Sequence, residues 1–169
     1  AQCLVGSEMC IETAYLQDAG VQIAVASNKY QAATQKLVDH YFPEIHFTAV
    51  LGQREGVKVK PDPIIVSDIL EIAKVAKEEA LYVGDSGVDM QTAANAGVTA
   101  CGVTWGFRPR TELEEFNPSY IADTAGEIKN LIYSIRRMTV RYLYASHIGI
   151  DTPYGHSLSL YTSDAADEE

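Results

Sequence analysis

Three short runs carry reactive side chains, two of them where apolar segments end. The first is V-A-S-N-K (25–29), in which Ser27 and Asn28 bring a hydroxyl and an amide to the end of the apolar stretch 21–27. A phosphoryl group presents acceptor oxygens, so Ser27 Oγ–H, Asn28 and neighbouring backbone N–H groups suit it as donors. The same residue types also serve as plain turn or cap residues. The second is K-V-K-P-D-P (58–63), in which Lys60 precedes a proline and is biased to an extended conformation just ahead of a helix. An ammonium fixed there can screen the repulsion between a carboxylate nucleophile and an anionic substrate. A solvated lysine before a proline-started helix is the plainer alternative, and Lys58 shares it. The third is G-D-S-G-V-D-M (84–90), with Asp85 closing an apolar strand and Asp89 four residues on, in the first turn of the next helix. Two carboxylates at one sheet edge offer hard oxygens suited to Mg²⁺, which binds one or two carboxylates plus waters and substrate phosphate. Equally, Asp85 can cap the helix and Asp89 can favour its N-terminal dipole.

These residues need a scaffold, and the pattern around them is regular. A helical segment near 12–19 stops at Gly20, and VQIAVAS (21–27) follows as a buried strand. Residues 30–41 are helix-like, with Ala33, Leu37 and Tyr41 along one face. FTAVLG (47–52) is a second strand. Pro61 and Pro63 lead into a helix at about 64–76 with a stripe of Ile65, Ile69, Ile72 and Ala76. ALYVGD (80–85) is a third strand, 87–96 a helix ending at Gly97, TACGVTW (99–105) a fourth strand, YIAD (120–123) a fifth, and 125–135 a closing helix. Strands alternating with helices at this spacing predict βαβ units and a parallel sheet. Such sheets bind ligands at the carboxyl ends of their strands, where Ser27, Asn28, Asp85, Thr104 and Trp105 cluster.

The chain has 169 residues, 47% of them hydrophobic and 21% charged, as expected for one globular domain. A net charge of −10 with no cationic block argues against nucleic acid as a partner. No apolar run approaches the ~20 residues of a membrane span, and no secretion signal is evident, which leaves the cytoplasm as the expected compartment. Cys3, Cys10 and Cys101 have no metal-ligand spacing. The ends differ in character from the middle. AQCLVGSEMCI (1–11) and SLYTSDAADEE (159–169) resemble translated sequencing-library adapter, as in an open reading frame on an adapter-flanked DNA fragment. Frayed native termini are the alternative. Residues 136–158 carry no assignment.

The ordered set S-N-K, K-P-D-P, G-D-S-x-x-D and G-V-T-W-G-F resembles the haloacid dehalogenase superfamily, in particular its phosphoglycolate phosphatase-like branch. The resemblance covers ~12–135, about three quarters of the chain. It implies an α/β fold: a Rossmann-like parallel sheet with flanking helices, here lacking the first strand and most of the cap, with 12–19 as the cap's exit helix. It further implies that Ser27 and Lys60 are catalytic, that Ser27, Asn28 and Lys60 bind substrate phosphate, and that Asp85 and Asp89 hold Mg²⁺. In this family an aspartate of a D-x-D-G-T motif attacks phosphorus to form an aspartyl-phosphate, which water then hydrolyses.

The chain contains no D-x-D, so the resemblance implies an N-terminally truncated and inactive fragment with an unpaired edge at the centre of its sheet. The substrate expected for the parent is a small phosphorylated metabolite such as 2-phosphoglycolate. The alternatives are a related phosphatase for a nucleotide, sugar phosphate or pyrophosphate, and a degenerate protein that binds phosphate or a partner without turnover. His40, His46, His147 and His156 show no metal spacing. Trp105 is read as a packing residue, and Arg108 and Arg110 as solvated loop residues.

Overall fold

The strands send alternate side chains into two different cores, which only a sheet covered on both faces allows. The computed structural model describes residues 7–136, 142–145, 149–151 and 157–159, with side chains over 13–135. His147, His156 and residues 1–6 and 160–169 of the two adapter-like ends lie outside them. In chain order the elements are α1 (Ser7–Asp18), β1 (Gln22–Tyr30), α2 (Gln31–Tyr41), β2 (Ala49–Gln53), α3 (Ile64–Ala73), β3 (Ala80–Gly84), α4 (Gly87–Ala96) and β4 (Thr99–Val103). Then come α5 (Arg110–Glu115), β5 (Tyr120–Ala122), α6 (Ala125–Arg136), β6 (Tyr142–Ala145), β7 (Gly149–Asp151) and β8 (Ser157–Ser159).

One core packs Ala24, Ala26, Ala80, Tyr82 and Ala100 against Ile65, Val66 and Ile69 of α3 and Met90 and Ala93 of α4. The other packs Ile23, Leu81, Val83, Cys101 and Val103 against Leu16 of α1 and Ile128 and Ile132 of α6. Val25 meets Val38 of α2 and the following Phe42. The predicted helices are present, but two of their faces are shifted. On α2 the buried positions are Thr34 and Val38, while Ala33 is exposed. On α3 they are Ile65, Val66 and Ile69. That helix stops at Ala73 with Lys74 left-handed behind it, so Ile72 belongs to a last turn and stays 50% exposed. The helix α5 has no counterpart in the sequence pattern, because Leu113 is its only apolar residue. α1 begins at Ser7, upstream of the predicted boundary at 12.

The sheet is parallel throughout, in the order β2-β1-β6-β3-β4-β5. The expected unpaired edge at its centre is not found. β6, from the stretch left unassigned, lies between β1 and β3, with Val25 and Val83 both opposite Ala145. Both flanking strands would otherwise present rows of unsatisfied N–H and C=O groups, and one short strand satisfies both rows. β7 and β8 form a separate antiparallel pair. Among the described residues no helix is long and apolar enough to cross a membrane.

Candidate active site

β1 delivers Ser27 and Asn28 through an irregularity. Ala26 pairs with Leu51 of β2, but the next pair is Tyr30 with Gln53, so Ser27–Lys29 rise out of the ladder as a bulge. Ser27 is 1% exposed, and its Oγ accepts the Lys29 N–H at 3.1 Å, which leaves the hydroxyl hydrogen to donate. Burial also lowers the Lys29 pKa below the usual lysine value. Gln31 replaces the interrupted ladder: its amide donates to Val50 O at 2.9 Å and accepts from Gly52 N at 2.7 Å. Gly52 is held to glycine by close approach, since a Cβ there would stand 2.6 Å from Lys29 O and 2.7 Å from Thr34 Oγ1.

Lys60 is not a solvated lysine. It is 3% exposed, and its Nζ donates to Asp89 Oδ1 at 2.7 Å and to Ala26 O at 3.4 Å. Lys58, 79% exposed in its side chain, instead pairs with Asp62 at 3.3 Å. The Asn28 carboxamide meets the Lys60 backbone twice, accepting from its N–H at 2.9 Å and donating to its C=O at 3.3 Å.

The G-D-S-x-x-D run forms a strand end, a cap and a first turn. Ser86 is the N-cap of α4: its Oγ accepts the Asp89 N–H at 3.3 Å and donates to Asp89 Oδ2 at 2.7 Å, a reciprocal arrangement close to a capping box. Tyr82, fully buried, donates to Asp89 Oδ1 at 3.3 Å. Asp89, 2% exposed, therefore takes hydrogen bonds on both carboxylate oxygens. It fills the space beside Gly84, where a Cβ would lie 2.7 Å from its Cγ. Asp85 turns elsewhere, its Oδ2 accepting the Phe107 N–H at 3.2 Å. That requires the loop after β4 to pass close over it, and a Cβ at Gly106 would collide with the Asp85 side chain. The Gly87 N–H, also at the start of α4, is taken by Glu112 of α5 at 2.9 Å.

The structure thus joins Lys60 and Asp89 directly, sets Asn28 against the Lys60 backbone, and brings Lys60 to the residue preceding Ser27. Asp85 lies at the end of β3, two strand spacings or about 10 Å across the sheet from the end of β1. Sequence reasoning missed Tyr82, Ser86, Gly106 and Glu112 as supports, and Asn95, whose amide donates to Pro61 O at 2.8 Å. Two of them carried a local signal, Ser86 in the S-x-x-D spacing at the start of a helix and Gly106 in the G-V-T-W-G-F run. Thr104 and Arg110 act away from these residues. Both bind Asp123, at 2.7 and 2.9 Å, and these contacts hold its carboxyl below the usual range, the Thr104 hydrogen bond first.

The donor set fits a hard divalent cation in part. Asp85 supplies a carboxylate at the carboxyl edge of the sheet, while the oxygens of Asp89 are already engaged by Lys60, Tyr82 and Ser86. Among the described residues no three acids, histidines or cysteines converge. Mg²⁺ commonly takes few protein ligands and completes its shell with water and phosphate oxygens.

The sequence profile of haloacid dehalogenase-like hydrolases matches residues 8–103, more than half the chain. A phosphoglycolate phosphatase of Mesorhizobium japonicum is 34% identical over 108 residues, 64% of this chain and 47% of that protein. A protein of Caldanaerobacter subterraneus provisionally named a pyrophosphatase is 30% identical over 119 residues, 70% of this chain and 54% of its own. The crystal structure of a provisionally named phosphoglycolate phosphatase from Lactobacillus delbrueckii superposes with a TM-score of 0.69 at 35% identity, covering 73% of this chain and 51% of that one. The chain spans about half the length of the curated relatives it matches. With a parallel sheet whose strand ends, loops and helix starts carry Ser27, Lys60, Asp85 and Asp89 in this chain order, the chain belongs to the family of haloacid dehalogenase-like hydrolases.

Proposed function

We propose that this chain carries the phosphate-handling part of a Mg²⁺-dependent phosphatase for a small phosphomonoester such as 2-phosphoglycolate. The observation that carries the proposal is the ammonium of Lys60, held in a dry site at 2.7 Å from Asp89 and one residue from Ser27. A buried, paired lysine at the carboxyl edge of a parallel sheet is a fixed positive charge where a phosphoryl group would bind. Ser27 donates its hydroxyl hydrogen to a phosphate oxygen. Lys60 offsets the charge that gathers on the transferring group. Asp85 is the carboxylate that would hold Mg²⁺, with Asp89 close behind it in sequence, and Asp89 fixes Lys60. The ion, when bound, would neutralise phosphate charge. The nucleophile belongs to a D-x-D that the chain does not contain, so the chain by itself is expected to show no turnover.

The test is to extend the chain with its upstream coding sequence and assay phosphate release from 2-phosphoglycolate, with Mg²⁺ and with EDTA. Metal-dependent release is expected, reduced about 10²–10³-fold in Lys60→Met, as for removal of one transition-state charge contact. A folded, extended protein that releases no phosphate from any phosphomonoester would leave the non-catalytic alternative, binding of phosphate or a partner. A second substrate has support from the Caldanaerobacter relative's name. Pyrophosphate therefore belongs in the same assay, and a preference for it would move the proposal to that substrate.

A further inference from the structure

We propose that Asn28 is a positioning residue that acts on the main chain of Lys60, with Asn95 completing the grip on the next carbonyl. The role assigned to Lys60 rests on the phosphatase reading above; the grip itself does not. Lys60 sits in a segment without a strand ladder, between Gln53 and α3, where no regular secondary structure fixes the direction of its side chain. Within that segment the backbone makes two short turns, Val57 N–H to Arg54 O at 3.2 Å and Asp62 N–H to Val59 O at 3.0 Å, and neither uses the N–H or C=O of Lys60. The remaining hold comes from outside.

A carboxamide can donate and accept at once, so it can satisfy the N–H and the C=O of one residue as a neighbouring strand would. Asn28 does this to Lys60 across 32 positions of sequence, at 2.9 and 3.3 Å. Asn95 of α4 donates to the next carbonyl, Pro61 O, at 2.8 Å. Two asparagines on separate elements thus hold consecutive carbonyls. With the backbone held, the Lys60 side chain runs inward to Asp89 and Ala26 O and is 1% exposed. Asn28 stands beside Ser27 in the bulge, so the S-N pair divides its work: the hydroxyl faces the phosphate site and the amide fixes the lysine.

The test compares acetylation of Lys60 with that of Lys58, read by mass spectrometry on the intact chain. Lys58 is 79% exposed and serves as the internal reference. In the wild type Lys60 is expected to be protected. Asn28→Ala should raise its rate relative to Lys58 about tenfold, and Asn95→Ala, an exposed change that leaves the core intact, about twofold to threefold, as expected for losing two hydrogen bonds or one. Asn28→Asp keeps the shorter bond and should restore part of the protection. Thr34→Ala removes a hydrogen bond to Lys29 O at the same junction without touching Lys60. It should lower the melting temperature and leave the ratio unchanged. An unchanged ratio in both Asn28→Ala and Asn95→Ala overturns the proposal, as does an equal rise in Thr34→Ala. Because the ratio is read without turnover, an inert extended enzyme would sink the phosphatase reading and leave this result standing.

Discussion

Lys60 and Asp89 form an ion pair with side chains 1% and 2% exposed. Two charges taken out of water are tolerated because each is met by its partner and by further hydrogen bonds, here from Tyr82 and Ser86 and to Ala26 O. Removing one partner strands the other. Lys60→Met is therefore expected to cost about 3–5 kcal/mol in urea denaturation. A loss below about 1 kcal/mol, the worth of an exposed pair, would show that the pair is solvated. Cys101 is a second residue whose state is set by its surroundings. Burial, with the charge of Glu127 added, pushes its thiol up to about 12. An acid raised in this way favours folding in its neutral form. Its contribution is whole below the ordinary thiol value of 9.0 and is lost as the pH rises from there towards about 12. Stability should fall across that window by up to about 1.4 kcal/mol per pH unit. Alkylation of Cys101 at neutral pH should proceed only at the rate of opening, and rapid labelling of the native chain would contradict its burial.

At the scale of elements, the junction between β3 and α4 does the most. Within Asp85, Ser86 and Gly87 the chain changes from strand to helix, and the change depends on one cap. Ser86→Ala removes the acceptor for Asp89 N–H and the donor to Asp89 Oδ2 together. A cost of about 1–2 kcal/mol is expected by thermal or chemical denaturation. Ser86→Asp, which keeps an acceptor but sets a like charge against Asp89, should not restore it. A neutral outcome for Ser86→Ala would mean that the helix start is fixed without the cap, through Phe116 against Gly87 and the Glu112 carboxylate on its N–H. The helix faces show how far periodicity reaches. Apolar spacing locates α2 and α3, but the buried side of each is set by where the helix lies on the sheet and where it stops. Ile72 fits the stripe on paper and faces solvent because Lys74 ends the helix.

For the whole molecule, the decisive feature is the centre of the sheet. β6 is four residues long, yet it joins the β2-β1 pair to the β3-β4-β5 set. Deleting residues 137–169 would leave β1 and β3 with facing, unpaired edges. The expected outcome is loss of a single cooperative urea transition and the onset of aggregation, followed by circular dichroism and light scattering. A truncated chain that stays monomeric and unfolds cooperatively would show that the two halves of the sheet do not depend on β6.

Legible in the sequence alone were the alternation of strands and helices, the parallel α/β class, and the placing of Ser27 and Asp85 at strand ends, Lys60 just ahead of a helix and Asp89 in the first turn of one. Each of these is written locally, in apolar strand runs, helix stops at glycine and short motifs. Tertiary structure alone decided what those side chains do to one another. Lys60 meets an acid 29 residues away and an asparagine 32 residues away. Asp85 meets a backbone N–H 22 residues away, and the central strand comes from a stretch with no readable assignment. Such pairings follow from which backbone rows and buried charges remain unsatisfied once the layers have closed, and a local signal does not contain that information.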